Sequence, residues 1–283
     1  MRSNRTRRSR CAQIAGSLLG LGLSASPALA GFTTFSVGGD ATTASIQPTV
    51  DAFRAALGNP NNANQGSQPG GRREINWDGG GATTAASSGP TLTAFTNTRG
   101  ATFTTPGTGF LQTPLNDPAF TGINPTYATT FSFFSQQRIF TATGSNITDS
   151  TFSLPGSNGA APATVSGFGA VFSDVDVANQ TTLQLFDVDN NLLTTLAAPI
   201  DTVVDGGLSF VGAIANAGER IARVRITTGN AALGPNDTNG NPNDVVVMDD
   251  FLYAEPVAVP EPGCLVLTVA GLGGAIAARG RRR

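Results

Sequence analysis

The chain has 283 residues, with no histidine, no lysine and only two cysteines, Cys11 and Cys264. Residues 31–258 carry eight arginines against eighteen aspartates and glutamates, a net charge of −10. This composition excludes Cys–His nucleophile pairs, histidine zinc sites, lysine Schiff bases and disulfides from that segment. Its negative charge disfavours nucleic acid as a partner and favours divalent cations.

The N-terminus has the organisation of a secretory signal peptide. Five arginines lie between positions 2 and 10, and an apolar stretch follows from Ile14 to Leu23. Ala28 and Ala30 then form a small-residue cleavage site. We therefore expect signal peptidase to remove residues 1–30 during export.

One short helix is predicted near the start of the exported chain. Val50, Phe53 and Leu57 recur at helical spacing. Pro48 fits a first helical turn, and a glycine follows the last apolar residue. The residues after the helix are rich in Asn, Gly, Gln and Pro, which is typical of loops. We expect residues 31–90 to form a helix and loop region packed on the main fold.

The only tryptophan of the chain lies in a polar, charged segment. Trp77 is flanked by Asn76 and Asp78. A tryptophan with such neighbours can stack on a sugar ring while they bond its hydroxyl groups, so these three residues are candidate ligand contacts. The alternative is a tryptophan that packs over one end of the fold, with one of the two arginines before Glu74 paired to Glu74 or Asp78.

Short apolar or β-branched runs, separated by Gly, Pro, Asn and Asp, fill the chain from residue 91 onward. This spacing predicts a mainly β fold, an antiparallel β-sandwich of jelly-roll type over residues 91–256. The predicted strands are 91–96, 101–105, 129–134, 137–143, 147–153, 164–173, 181–187, 191–196, 207–212, 220–228 and 245–254.

The predicted strand that leads into Asp174 and Asp176 ends in two like charges. Both carboxylates share the parity of the apolar residues before them, so they extend one face of the strand. A bound Ca²⁺ would relieve their repulsion, since it accepts six to eight oxygen ligands in irregular geometry. The alternative is that they begin a turn into residues 178–180.

Two more acidic segments follow. Residues 187–191 fit a hairpin turn between two predicted strands. Residues 235–244 have some features of a calcium loop, but the glycine at its sixth position is missing and Met248 stands where the loop needs glutamate. An EF-hand is therefore excluded, although such an oxygen-rich loop can hold a cation weakly or contact a sugar.

The final predicted strand, 245–253, carries an acidic pair within an apolar run. Strand alternation predicts that Asp249 and Asp250 lie on opposite faces, so that at most one of them joins the cation site. The alternative is that Asp250 pairs with an arginine such as Arg223 or Arg225, which share one strand face.

The Gly-Phe, Asp-x-Asp and Asp-Asp-Phe patterns of residues 160–254 are similar to those of galactose-binding-like jelly rolls in secreted carbohydrate-binding modules. In those folds a final strand with an aspartate beside bulky apolar residues contributes to a structural calcium site. The resemblance implies a Ca²⁺ ion held by ligands drawn from Asp174, Asp176, Asp249 and Asp250.

The last part of the chain contains three elements in series. They are a Pro-Glu-Pro element (Pro260, Glu261 and Pro262), an uncharged run from Cys264 to Ala278, and an arginine cluster that includes Arg281, Arg282 and Arg283. As a helix the run reaches about 22 Å, which is marginal for a hydrocarbon core of roughly 30 Å. The positive-inside tendency then puts the arginines in the cytoplasm and the body outside.

This tripartite tail resembles the PEP-CTERM sorting signal of bacterial surface proteins, which an exosortase-type membrane peptidase processes. The resemblance implies that residues 257–283 form a sorting tail with a single membrane-spanning helix. The protein is then anchored in the membrane until processing and is afterwards at the cell surface or extracellular.

We therefore predict an exported, non-catalytic surface or matrix protein that binds glycan or exopolysaccharide and calcium. One alternative is a structural surface component without a small ligand. The other is a glycoside hydrolase or lyase that uses paired carboxylates, such as Glu74 with Asp78 or Asp174 with Asp249. Only three glutamates in the body make this enzyme the weaker alternative. Expected partners are the exosortase-type peptidase, signal peptidase and the export machinery, and extracellular polysaccharide.

Overall fold

The computed structural model describes residues 31–64, 66–235 and 242–259. The helices in these residues are α1 (Thr43–Leu57), α2 (Pro118–Thr121) and α3 (Tyr127–Thr130), with a 3₁₀ turn at Asp78–Gly80. The strands are β1 (Phe32–Gly38), β2 (Arg72–Ile75), β3 (Ala85–Ala86), β4 (Thr91–Leu92), β5 (Ala101–Thr104), β6 (Gly109–Thr113), β7 (Ile139–Thr143), β8 (Ile147–Phe152), β9 (Ala163–Thr164), β10 (Gly167–Ser173), β11 (Thr182–Phe186), β12 (Leu192–Ala197), β13 (Leu208–Ala215), β14 (Arg223–Thr227), β15 (Val247–Ala254) and β16 (Val257–Ala258).

Most of the strands belong to two antiparallel sheets. The larger sheet has the order β1-β13-β10-β15-β7-β6-β3, and β2 also pairs with β15. The smaller sheet has the order β12-β11-β14-β8-β5-β4, while β9 and β16 form a separate pair. The predicted mainly β fold with antiparallel sheets is confirmed.

Aromatic side chains from both sheets meet in the core. Phe103 of the smaller sheet lies 5.7 Å from Phe251 of the larger one, between ring centroids. Phe152 and Phe168 make a second such contact at 6.2 Å. Because each buried aromatic side chain removes roughly 150–250 Å² from water, these contacts hold the two sheets face to face.

The two sheets differ in what covers their outer faces. In β14 of the smaller sheet only Val224 and Ile226 are buried, which is the alternation of a strand with one wet face. Every residue of β10 in the larger sheet is buried. The difference arises because α1 lies against the larger sheet, where it contacts β1, β13 and β15.

Helix α1 fits the larger sheet at a pair of facing glycines. Gly169 of β10 and Gly212 of β13 are opposite each other in the register. The ring of Phe53 lies on them, and a Cβ atom added at Gly169 would come within 2.8 Å of Phe53 Cε1. Larger residues at these two positions would therefore push the helix away from the sheet.

The helix begins earlier than its sequence pattern predicts. It starts at Thr43, so Pro48 lies inside it and not in its first turn. The start is fixed by Thr42, whose backbone N–H donates to Asp40 Oδ1 at 2.8 Å. Pro48 is exposed, so its ring lies on the solvent side of the helix.

Two further expectations about elements are corrected. Residues 31–90 are more than a helix and loop region, because β1, β2 and β3 all pair into the larger sheet. No strand forms over 129–134, where α3 ends and Phe131 and Phe134 are buried in irregular backbone. Strand β6 was not predicted, because Gly109 opens it and Gln112 breaks its apolar run.

The described residues begin and end next to the sandwich. The backbone nitrogen of Gly31 donates to Glu219 Oε1 at 2.6 Å, and β16 pairs with β9 near the other end. Among residues 31–64, 66–235 and 242–259, no helix has both the length and the apolarity needed to cross a membrane. The predicted cleavage site at Ala28 and Ala30, the Pro-Glu-Pro element and the tail helix lie outside these residues.

Candidate cation site

The candidate site begins where β10 ends. Asp174 follows the strand with φ at 72°, in the left-handed region that short polar side chains tolerate. Its backbone N–H donates to Gly207 O at 2.8 Å, while its Oδ1 accepts from Gly206 N at 2.9 Å. This turn directs the buried Asp174 carboxylate towards the segment between β12 and β13.

Three carboxylates meet at this turn. One oxygen each of Asp174, Asp176 and Asp201 can be chosen so that all three lie within 4.8 Å of one another. Asp201 is held by a reciprocal pair of bonds, in which Val175 N donates to its Oδ2 at 3.2 Å and its own N–H donates to Val175 O at 3.0 Å. The backbone of the two segments thus fixes the cluster.

Gly207 sets the position of the Asp201 side chain. A Cβ atom added to Gly207 would lie 2.0 Å from Asp201 Cγ, which is far inside van der Waals contact. Glycine is therefore required here for the carboxylate to reach the cluster.

A fourth carboxylate, Asp244, lies at the edge of the cluster. Its Oδ1 accepts from Asp176 N at 3.2 Å, and its backbone N–H donates to Asn230 Oδ1 at 2.8 Å. Asp244 is only 2 % exposed, yet its Oδ2 is buried and accepts no hydrogen bond. A buried carboxylate oxygen without a partner is costly, so it marks a place where a ligand is expected.

The carboxylates at this site resist ionisation. Burial raises the pKa of Asp174 to about 8, and the charges of Asp176, Asp201 and Asp205 add to the rise. Burial is also the main cause that raises the pKa of Asp201 and of Asp244, each to about 6, and it raises that of Asp176. Ionising these carboxylates together in the folded protein thus costs free energy.

No arginine of the described part of the chain forms an ion pair with these carboxylates. The ion pairs between described residues join Arg54, Arg72, Arg73, Arg223 and Arg225 to carboxylates elsewhere in the fold. Carboxylate oxygens in this number and arrangement are ligands for hard divalent cations. The cluster of Asp174, Asp176 and Asp201 could therefore hold a metal ion.

The other two predicted cation ligands, Asp249 and Asp250, lie in a different place. The register of β15 shifts here, because Phe251 is opposite Ala170 whereas Met248 is opposite Phe172. Two residues of β15 thus face one residue of β10, which is a β-bulge. Ser135 Oγ lies within hydrogen-bond distance of both carboxylates, at 3.2 Å from Asp249 Oδ1 and 2.7 Å from Asp250 Oδ1, so the prediction that they lie on opposite faces is wrong.

Asp249 and Asp250 serve a structural network with neighbours of their own. Asp249 Oδ2 accepts from Phe134 N at 2.8 Å, which ties the segment before β7 to β15. Asp250 pairs with Arg54 of α1 at 3.2 Å, so the predicted alternative with Arg223 or Arg225 is wrong in its partner. These two arginines instead share Asp149, which lies on β8.

Trp77 is not a platform for a sugar. It is 1 % exposed, and its ring is stacked on Phe140 with 3.7 Å between centroids and 7° between planes. Its Nε1 donates to Asp249 O at 2.7 Å. The packing alternative is confirmed, because the indole fills the core and has its one donor satisfied.

The neighbours of Trp77 have different roles. Asp78 accepts from Arg138 N at 2.9 Å and from the amide of Gln137, so its carboxylate holds the chain before β7. Asn76 is exposed and donates to Asp78 Oδ2 at 2.9 Å. The predicted arginine–glutamate pair is present, since Arg72 Nε lies 2.6 Å from Glu74 Oε1.

The sequence analysis identified two of the three cluster carboxylates, Asp174 and Asp176, and missed Asp201. It also did not single out Asp244 at the edge of the cluster, because both missed residues come from distant loops. The predicted turn at 187–191 is confirmed by the hydrogen bond from Asn190 N to Asp187 O at 3.1 Å, and no cluster residue comes from it. Within the acidic loop 235–244, residues 236–241 lie outside the described residues, but the last residue of the loop is Asp244.

The carboxylate pairs considered for catalysis have other partners. Glu74 is paired with both Arg54 and Arg72. Asp174 belongs to the cation cluster, whereas Asp249 is fully buried beneath Ser135.

Comparisons with protein-family models, with curated proteins and with solved structures found no match.

Proposed function

We propose that this protein is an exported, non-catalytic component of the cell surface or extracellular matrix, whose jelly-roll-like β-sandwich is stabilised by Ca²⁺ and contacts extracellular polysaccharide. The observation that carries the proposal is the uncompensated acidic cluster with the unpartnered Oδ2 of Asp244 beside it. The ligands for Ca²⁺ are Asp174, Asp176 and Asp201, with Asp244 as the fourth.

Calcium fits this cluster better than magnesium does. Asp174, Asp176 and Asp201 combine buried and exposed carboxylates on two segments, and Asp244 adds a third segment, so the geometry is irregular. Ca²⁺ takes six to eight oxygens at about 2.3–2.6 Å in flexible arrangements, whereas Mg²⁺ requires a near-ideal octahedron. Bound Ca²⁺ also removes the mutual repulsion of the carboxylates.

Export and sorting are proposed from the sequence of both ends. The basic and apolar N-terminus supports cleavage by signal peptidase, and the Pro-Glu-Pro element with its apolar run and arginines supports processing by an exosortase-type peptidase. An acidic body that needs Ca²⁺ suits the outside of a cell.

The calcium proposal is tested by thermal melts of the purified protein in CaCl₂ and in chelator. Calcium at a hundredfold excess over its Kd stabilises the native state by about 2.7 kcal/mol. We expect a clearly lower Tm in chelator for the parent and no such difference for Asp174→Asn. Asparagine keeps the acceptor for Gly206 N and tolerates the positive φ, so this variant removes charge with little change in shape.

The matched control is Asp189→Asn at the exposed tip of the β11–β12 hairpin. It removes the same charge away from the cluster and should keep the full response to Ca²⁺. Equal melting of the parent in CaCl₂ and in chelator would disprove the calcium site. A glycan array tests the polysaccharide part separately.

A further inference from the structure

A small cavity beside β2 contains two arginines that have no carboxylate partner. It has a volume of about 240 Å³ and is lined by Asn76, Arg99, Gln112 and Arg138, with an apolar floor from Ile75 and Phe95. At about 30 Å³ per water molecule, this volume corresponds to about eight waters, which is enough for a small polar ligand.

The charge of this cavity is unusual for the molecule. Among the described residues five of the eight arginines form ion pairs within 4.0 Å, and three do not: Arg99, Arg138 and Arg220. Two of these three line the same cavity. In a body with a net charge of −10, acidic partners are abundant, so two guanidinium groups that line one cavity without an ion pair favour an external anion.

The hydrogen bonds of Arg138 leave donor capacity unused. Its Nη2 donates to Thr83 Oγ1 at 3.0 Å, but its Nε is buried and has no hydrogen-bond partner. The side chain is 4 % exposed, and its guanidinium group lies against Gly80, where an added Cβ would come within 2.1 Å of Nη2. The backbone thus makes room for a nearly buried cation at the cavity wall.

Arg99 and two amides complete the polar wall. Arg99 Nε donates to Glu74 O at 3.1 Å and its Nη1 to Asn64 Oδ1 at 2.6 Å, so its second terminal nitrogen remains for a ligand. The side-chain amide of Gln112 bonds to no described residue. The amide nitrogen of Asn76 donates to Asp78 Oδ2, and its carbonyl oxygen is left to accept from a ligand.

We propose that this cavity binds the carboxylate-bearing sugar residue of an acidic polysaccharide, a uronate. The guanidinium groups of Arg99 and Arg138 bind the carboxylate, the amides of Asn76 and Gln112 bond the ring hydroxyls, and the apolar floor meets the C–H face of the sugar. The inference rests on the proposed function, because it names the class of polysaccharide that the protein binds. The sugar then binds in this cavity and not on the buried ring of Trp77.

The test is calorimetric titration of the purified protein with a galacturonic acid trisaccharide, with its neutral galactose counterpart, and with sodium sulfate. We expect the uronide to bind at least about tenfold more tightly than the neutral sugar, since charged hydrogen bonds carry the difference. Binding should weaken as salt is added.

Three variants make the assignment specific. Arg99→Gln and Gln112→Ala should each weaken uronide binding by about tenfold or more. Arg220→Gln changes the third arginine without an ion pair, which donates to Thr164 away from this cavity, and should bind like the parent. Circular dichroism confirms that each variant is folded.

The inference is overturned if the neutral sugar binds as tightly as the uronide, if no uronide binds, or if Arg220→Gln has the same effect as Arg99→Gln. Sulfate binding as tightly as the uronide would overturn the sugar assignment. Neutral glycans that bind on an array while uronides do not would leave the proposed polysaccharide contact standing and remove this site. The calcium melts involve none of these residues, so the two results are separate.

Discussion

The β-bulge in β15 changes the environment of Asp249 and Asp250. The bulge turns both carboxylates to the side of Ser135, where burial raises the pKa of Asp249 well above its ordinary value and the charge of Asp250 raises it further. Burial also raises the pKa of Asp250, while Ser135 and Arg54 oppose the rise. The folded state therefore retains a proton that the unfolded chain releases.

This pair makes stability depend on pH. The pKa of Asp249 is higher in the folded state than in the unfolded chain, so the folded state binds its proton more tightly. The free energy of unfolding therefore falls as pH rises above the ordinary pKa of 3.8. Each unit of raised pKa corresponds to about 1.4 kcal/mol. Asp249→Asn keeps acceptors for Phe134 N and should lose less stability between about pH 4 and pH 7 in urea unfolding. A parallel pH profile for parent and variant would contradict this, and Asp189→Asn is the control for charge alone.

Glu255 is the second residue whose charge matters to the fold. It accepts from Arg73 at 2.7 Å through both oxygens, and both side chains are almost wholly buried. Arg73 also donates to the backbone of Ala63, Gly66 and Thr98, so the pair joins β15 to the loop before β2.

Glu255→Gln should therefore destabilise the protein strongly. It leaves the Arg73 charge buried without a counter-charge, which typically costs about 3–5 kcal/mol. Urea unfolding at neutral pH measures the loss, and Asp189→Asn at the exposed tip of the β11–β12 hairpin serves as the control. A loss of less than about 1 kcal/mol would show that the ion pair adds little beyond its neutral hydrogen bonds.

Residue identity alone could predict part of the acidic chemistry. Asp174 and Asp176 stand out because they end an apolar strand within three positions of each other. Asp201 and Asp244 could not be predicted, since they reach the cluster only through the packing of loops that precede β13 and β15. The bulge at Asp249 was equally invisible, because it depends on the register with β10.

The position of α1 depends on close packing against two glycines of the larger sheet. The ring of Phe53 in α1 contacts Gly169 of β10 and Gly212 of β13. The helix also brings Arg54 to Glu74 and Asp250, so its docking aligns charged groups as well as apolar ones.

Gly169→Ala should loosen this docking. The added methyl would lie 2.8 Å from Phe53 Cε1 and from Phe210 Cζ, and such overpacking costs typically about 1–3 kcal/mol. Urea unfolding of the variant gives the value. Gly89→Ala is the matched control, because no atom lies within 4 Å of the Cβ it would add. Equal stability of the two variants would show that the helix can shift at no cost.

Strands were predicted correctly where their buried residues form a recognisable pattern in the sequence. Strands such as β14 and β15 were predicted because β-branched and apolar residues cluster in them. Strand β1 was missed because its Thr, Ser and Gly residues show no alternation, which fits an edge strand that is exposed in part. The start of α1 was missed because its first turn has a single apolar residue, Ile46, and because Pro48 suggested a later beginning.

At the scale of the whole molecule, the two sheets and α1 form a support with an acidic cluster and a basic cavity at separate places. The cluster involves the ends of β10 and β12, whereas the cavity lies beside β2 and β6. In a body with a net charge of −10, the acidic cluster is suited to a cation, whereas the arginine-lined cavity is suited to an anion.

The proposed export has a direct check on the whole chain. Protein recovered from outside the cells of a host with the matching sorting system should begin at Gly31 and lack the arginine cluster, as measured by intact mass. A full-length mass in that fraction would contradict both processing steps. An N-terminus at Gly31 with an intact tail would leave signal cleavage standing and remove the sorting proposal.

The hydrogen bond between Gly31 and Glu219 becomes an ion pair if signal peptidase cuts directly before Gly31. The nitrogen that is an amide in the precursor becomes an ammonium group in the mature chain, already 2.6 Å from a carboxylate. The amide of Gly31 is the main cause that holds the pKa of Glu219 below its usual value, and a full positive charge should lower it further. Maturation would thereby add an ion pair to the hydrogen bond that already joins Gly31 to Glu219 in the precursor.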